Sequence, residues 1–369
     1  TGASGGATQT MVLSAIDDRV AAAFPAVMVS TAMQGGCTCE NSHYLRIGQG
    51  NIDIAAAFAP KPLGLTSADD WTVELETKGH PELANLYGML GASENYEAHF
   101  ETQFFHNFNE VSRSHLYQFL NRHFALGFEE PILESDFVYL TEDDLGVWDA
   151  LEERPKQYEE GDTHEKALNQ VWAKDSDEGL LRDPTAMERG WYVLLNKAAL
   201  PEAPAHFELV TKERESETVV LSGIISHGSQ SVEAEIHYPK LWNGEVVIDL
   251  DHESDDFGDS AVVHPALTTG FNKAELYSGE IALPADSWRR SPVFFFGYND
   301  PNFTRQAHEV AAVVSMVANH PDWDVTKVTV SGSRANAAVA LAAQFLDRSQ
   351  IDALEIDLEE FRFETVVEF

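Results

Sequence analysis

Along residues 1–128, short apolar runs alternate with amphipathic stretches long enough to be helices, and that alternation leaves few folds open. The periodicity predicts helices over 5–16, 81–90 and 111–124, with Pro81 in a first helical turn and Gly127 closing the last of them. Runs at 26–30, 62–66 and 96–105 read as strands. Strands separated by helices cannot close as tight hairpins. They pair in parallel, and the intervening helices cover both faces of the sheet.

The pattern changes further on. Residues 129–184 are acidic and polar, with Pro131 and Pro155 as breakers, and predict a long connection with short helices before a helix at 187–199. From about residue 201, runs at 207–211, 219–225, 232–238 and 245–250 stand at hairpin spacing and predict antiparallel strands. Strands at 292–297, 327–330 and 353–358 and helices at 304–318 and from Ala335 to Leu346 complete a second α/β unit with a short antiparallel portion. The expected division is therefore 1–128, an acidic connection over 129–200, and a second unit over 201–369.

Charge excludes two classes of partner. The chain carries 24 basic and 61 acidic residues, a net charge of −37, and a field of that sign repels nucleic acid and anionic membranes. No apolar run reaches the ~18 residues a membrane helix requires, and the nearest, 20–33, is interrupted by Pro25. Cys37 and Cys39 stand one residue apart, too close for an ordinary disulfide, and no second cysteine pair completes a zinc site. No metal or cofactor is expected.

The chemistry concentrates at Gly2-Ala3-Ser4-Gly5-Gly6, which fits the G-x-S-x-G turn that presents a nucleophilic serine between a strand and a helix. Small flanking residues let strand and helix approach, and the helix beginning after Ser4 aims backbone N–H groups at the reacting oxygen. The N–H of Gly5 is the expected oxyanion donor. An acid and a histidine follow in the order such sites use, each just past a strand: Asp70 and His106. Asp69 is the competing acid, with Asp70 favoured. His115 and His123 read as surface or packing residues of a helix, His99 lies within a strand, and His80 precedes a helix-starting proline. A Thr1 nucleophile of the N-terminal type is the remaining rival; the chain opening inside a motif reads as a piece of a longer protein.

Further residues make the pattern specific. The sequence resembles a group of bacterial α/β-hydrolases described as acetyl xylan esterase-like. The likeness runs through Gly2-Ala3-Ser4-Gly5-Gly6-Ala7-Thr8-Gln9-Thr10, Asp17-Asp18-Arg19-Val20, Val27-Met28-Val29-Ser30 and Met33 to Asn41. It continues through Ala59-Pro60-Lys61-Pro62-Leu63, Asp70-Trp71-Thr72, His106-Asn107-Phe108-Asn109 and Ser112-Arg113. The resemblance implies a mostly parallel hydrolase sheet of which 1–128 is the C-terminal half, nucleophile Ser4, acid Asp70 and base His106. It also implies a loop at 35–41 near the site, a structural role for the two cysteines, and a secreted or periplasmic location.

The expected activity is hydrolysis of carboxylic esters, such as acetyl esters of carbohydrate, through an acyl-enzyme. A serine peptidase of the oligopeptidase type and a non-catalytic carbohydrate- or protein-binding pseudohydrolase are the alternatives. The second half resembles a degenerate copy of the first. At Gly332-Ser333-Arg334-Ala335-Asn336 the nucleophile position holds Arg334, with Ser333 one residue off, so no catalysis is expected there.

Overall fold

A computed structural model describes residues 1–31, 40–148, 161–215, 217–252, 258–268, 296–359 and 361. The chain divides into two compact units, one of residues 1–174 with 283–299 and the other of 175–282 with 300–369. Both are α/β.

The first unit contains a four-stranded parallel sheet in the order β1 (Gly2–Ala3), β2 (Pro25–Ala26), β3 (Leu63–Asp69) and β4 (Tyr96–Phe105). Helices α1 (Gly5–Ile16), α2 (Asn51–Ala56), α3 (His80–Met89) and α4 (Glu110–His123) connect or follow these strands. Alternation along β3 separates two cores. Leu63 and Leu65 pack with Met11 of α1, Ile52 and Ile54 of α2, and Leu83 and Tyr87 of α3. Ala68 faces the other way, into a cluster with Phe24, Leu116 and Phe119 that α4 closes. Gly64 is required on that second face, because a Cβ there would lie 2.4 Å from the Phe24 ring.

One expected strand is cut short. The run 26–30 is apolar enough to continue, but β2 ends at Ala26 because Val27 turns to a φ of 49°. Its N–H still donates to the Thr66 carbonyl at 3.0 Å, so the chain stays tied to β3 while leaving the strand.

Beyond α4, Arg113 makes a fork on Glu134, with Nε to Oε1 at 2.5 Å and Nη2 to Oε2 at 2.7 Å, and the Tyr117 hydroxyl adds a bond at 2.6 Å. Hydrogen bonds from Arg113 and then Tyr117 hold the Glu134 carboxyl down at about 2, so its contribution to stability is complete above its ordinary value of 4.5 and is lost as pH falls through about 2. The melting temperature of wild type should therefore exceed that of Glu134→Gln at pH 6, with the gap closing as pH is lowered from 4.5 toward 2. A gap unchanged between pH 6 and pH 3 would contradict this linkage.

Helix α5 (Glu142–Leu145) is short, as expected of the connection, but α6 (Gly161–Arg182) runs for 22 residues where only short helices were expected. Its described side chains are exposed almost throughout. Its apolar side chains Leu168, Val171 and Trp172 form a stripe of little more than one turn and are exposed, too short a signal for 22 residues of helix. Helix α7 (Pro184–Leu194) follows, capped by the Asp183 side chain on the Thr185 N–H.

The second unit holds a seven-stranded sheet. Strands β5 (His206–Arg214), β6 (Thr218–His227) and β7 (Gln230–Pro239) pair antiparallel, β6 and β7 through the two-residue turn Gly228-Ser229. Strands β8 (Glu245–Asp249), β9 (Ala261–Pro265), β10 (Lys327–Ser333) and β11 (Ala353–Asp357) form the parallel portion, and β9 joins β7 antiparallel. The run at 245–250 thus belongs to the parallel set rather than to the hairpins, because β8 pairs in parallel with both β9 and β10. Helices α8 (Asn302–Ala318) and α9 (Arg334–Leu346) pack their Val310, Val313, Val317, Val339 and Ala343 onto the sheet. Of the strand expected at 292–297, only Phe296 and Gly297 fall within the described residues, where they form a turn; Cys37 and Cys39 lie outside the described residues.

Candidate active site

In a parallel sheet all carboxyl ends lie along one edge, and loops there gather residues from several strands. Ser4 follows β1, Asp70 follows β3 and His106 follows β4, so all three leave the sheet at that edge.

Ser4 occupies a sharp turn. Its φ of 54° and ψ of −119° are outside the ordinary regions for a side-chain-bearing residue, a conformation costing roughly 1–3 kcal/mol that surrounding bonds hold in place. The Ser4 N–H donates to the Ala26 carbonyl at 3.2 Å, and its own carbonyl accepts from Thr8 at 3.0 Å as α1 begins. Gly5 is the first residue of α1, and amides in a first turn have no acceptor within their helix. The turn closes only because residue 2 is glycine: a Cβ there would stand 2.5 Å from the backbone of Gly6. A Cβ at Gly6 would meet nothing within 4 Å. Gly2→Ala should therefore destabilise the unit by about 1–3 kcal/mol through overpacking, read as a lower melting temperature, while Gly6→Ala should leave it unchanged or slightly raised.

Asp70 and His106 form a pair. The His106 Nδ1 and Asp70 Oδ2 lie 2.7 Å apart, with the carboxylate side chain 5% and the imidazole 35% exposed. The other carboxylate oxygen accepts from the Thr72 N–H at 2.6 Å and from its hydroxyl at 2.5 Å. Thr72 is fully buried and its Oγ1 in turn accepts from the Ala68 N–H, so the carboxylate is anchored to β3. The Trp71 ring lies 4.5 Å from the His106 ring at 32°, and the Trp71 carbonyl accepts from Ser30. Asp69, the rival acid, is exposed and pairs with Phe105 of β4 after a register shift between Ser67 and Asp69.

The loop carrying His106 is fixed from its far side. The Asn107 side chain donates to the Phe105 carbonyl and accepts from the Asn109 N–H at 2.8 Å. Asn109 caps α4 through the Ser112 N–H, and Arg113 Nη1 donates to the Phe108 carbonyl at 2.6 Å. The other histidines have different surroundings. His99 and His115 stack with centroids 3.7 Å apart and pair with Glu97 and Glu101, His80 stacks on Tyr96, and His123 packs on Phe119. The Thr1 hydroxyl donates to the Phe24 carbonyl.

The resting hydroxyl of Ser4 donates to Glu40 Oε1 at 2.5 Å. Glu40 is 1% exposed, and sequence reasoning gave it no role. Behind it lies Arg46, 3% exposed, with Nη1 on the Glu40 carbonyl at 2.7 Å and Nε on Asn51 Oδ1 at 2.9 Å. Asn51 donates onward to the Met28 carbonyl.

The second unit repeats the turn without the hydroxyl. Arg334 opens α9 directly after β10 with a φ of 52°, close to the 54° of Ser4, and a Cβ at Gly332 would come within 3.1 Å of Asn336. The guanidinium Nε of Arg334 donates to Glu359 at 2.6 Å, and its side chain is 73% exposed. Among the described residues, no group of three or more His, Cys, Asp or Glu is arranged to hold a metal ion, and no helix is long and apolar enough to cross a membrane.

No family model and no curated protein matches the chain. Solved structures similar to it include methylesterase BT1017, at 33% identity over 34% of this chain and 29% of that one, with a TM-score of 0.33. Acetyl xylan esterase 1 from Thermoanaerobacterium sp. is 16% identical over 44% of this chain and 55% of its own, with a TM-score of 0.27. An acetyl xylan esterase from Paenibacillus sp. R4 is 14% identical over 46% and 57%, with a TM-score of 0.30. The chain thus spans 29% of the methylesterase's length and 55% and 57% of the two acetyl xylan esterases.

Proposed function

We propose that the first unit belongs to a serine esterase acting on acetyl or other small acyl esters of carbohydrate, with Ser4 as nucleophile, His106 as base and Asp70 as orienting acid. The observation that carries the reading is the 2.7 Å bond from His106 Nδ1 to a carboxylate whose second oxygen is already saturated by Thr72. A histidine held that way keeps its proton on Nδ1 and presents Nε2 as an acceptor.

In the reaction, Oγ of Ser4 attacks the ester carbonyl carbon as its hydrogen turns from Glu40 to His106 Nε2. His106 Nε2 takes the hydroxyl proton and returns it to the departing alcohol. Water, deprotonated by the same nitrogen, then attacks the acyl-enzyme and releases the acid. The Gly5 N–H, at the positive end of α1, supports the oxyanion in both steps. Asp70 stays ionised and stabilises the imidazolium.

The substrate class is tested by offering the protein p-nitrophenyl acetate, acetylated xylo-oligosaccharides and peptide amides. Ester cleavage with peptides left intact is the expected outcome. Peptide cleavage in preference to esters would favour the oligopeptidase type, and saccharide binding without turnover would favour a pseudohydrolase.

A further inference from the structure

The proton of the nucleophile lies on a carboxylate outside the Ser-His-Asp set. We propose that Glu40, backed by Arg46, is a fourth functional member of this site: a catalytic carboxylate that touches the reacting oxygen and fixes it for attack. The inference rests on the reading of Ser4 as nucleophile.

Three observations carry it. The first is the bond itself, 2.5 Å from the Ser4 hydroxyl to Glu40 Oε1 across 36 residues of chain. A serine side chain otherwise samples three staggered rotamers, and a charge-assisted bond selects one. Ser4 makes no side-chain bond that caps α1, the usual employment of a serine at a helix start.

The second is the burial of the charges. Glu40 and Arg46 are 1% and 3% exposed, and taking both from water carries a desolvation penalty that a pair of apolar residues would avoid. Burial pushes the Arg46 guanidinium below its ordinary range, with Tyr298 and Glu40 opposing that shift. Fold stability alone gives no reason to bury both side chains here, one of them against a serine.

The third is the rigidity of the support. Arg46 Nη1 holds the Glu40 carbonyl, Nε is bonded to fully buried Asn51, and the Arg46 N–H donates to the Gly297 carbonyl at 3.0 Å. One guanidinium nitrogen, Nη2, is buried with no hydrogen-bond partner.

Glu40 accepts the hydroxyl hydrogen in the resting site and sets the direction from which Oγ meets the carbonyl. The proton itself goes to His106 as the new C–O bond forms.

The test uses the full chain with p-nitrophenyl acetate, comparing Glu40→Gln, Glu40→Asp and Ser4→Ala. Glu40→Gln keeps the shape, one acceptor oxygen and the backbone carbonyl that Arg46 holds, and replaces the charge and the second acceptor with a neutral NH2 donor. Glu40→Asp keeps the charge and withdraws it by one methylene. Both are expected to lower kcat by about 10–100-fold, the size of one charge-assisted bond to the reacting atom. KM should change less than threefold, and labelling of Ser4 by a fluorophosphonate should slow in parallel. A merely structural Glu40 would move the melting temperature and the folded fraction but not kcat per folded molecule. Either variant, folded and within twofold of the wild-type kcat, would overturn the inference. Full activity in Ser4→Ala would instead overturn the nucleophile assignment on which it rests.

Discussion

Ser4→Ala is expected to cut ester hydrolysis by on the order of 10⁴–10⁶-fold in kcat, with the fold and melting temperature retained. The magnitude follows from removing the atom that bonds to the acyl group. What remains is the catalysis that an oxyanion site and substrate positioning supply by themselves. Retention of the fold follows from the turn: the strained φ of 54° is set by Gly2 against Gly6 and by the Ser4 N–H on the Ala26 carbonyl, not by the hydroxyl. Ester turnover within tenfold of wild type would remove Ser4 from the mechanism.

The next largest effect separates two adjacent aspartates. Asp70→Asn should lower kcat by about 10⁴-fold, because an amide nitrogen facing Nδ1 selects the wrong imidazole tautomer and leaves the imidazolium without a counter-charge. Asp69→Asn should stay within about twofold, since the Asp69 side chain is exposed while the neighbouring carboxylate meets His106 at 2.7 Å. The pair is a stringent comparison because both substitutions remove one negative charge from the same strand end. Equal losses in the two variants would mean that the field of the sheet end matters and not the bond to His106.

Much of this site is legible in the residues. Ser4 is visible because a strand-to-helix turn of this tightness needs small neighbours at fixed offsets, and His106 because an Asn-rich turn follows a strand and leads into a capped helix. The residues favour Asp70 over Asp69 without deciding between them, since strand alternation fixes which side chain turns inward only once the last β3–β4 pair is placed. Glu40 falls in the loop 35–41 that the resemblance places near the site, but its contact with Ser4, 36 residues away, has no local signal.

The fold shows the same division. Strand β4 and helix α1 have the bounds their patterns predict, because apolar periodicity and flanking breakers agree there. Strand β2 stops early at Val27, whose left-handed φ depends on the bond to Thr66 and not on local preference. Helix α6 has an apolar stripe of little more than one turn to mark it, and β9, five residues buried throughout, lacks the two-residue alternation of a half-exposed strand. The run at 245–250 is β-rich enough to read as a strand, but its parallel partners are set by tertiary pairing alone.

The central claim is that Ser4 is a nucleophile activated by His106. It is tested most directly by treating the protein with a fluorophosphonate and measuring intact mass, followed by peptide mapping. The account predicts a single covalent adduct on Ser4 that is absent in Ser4→Ala and strongly slowed in His106→Ala. A folded protein that takes up no label, or takes it up equally at Ser4 with and without His106, would contradict it.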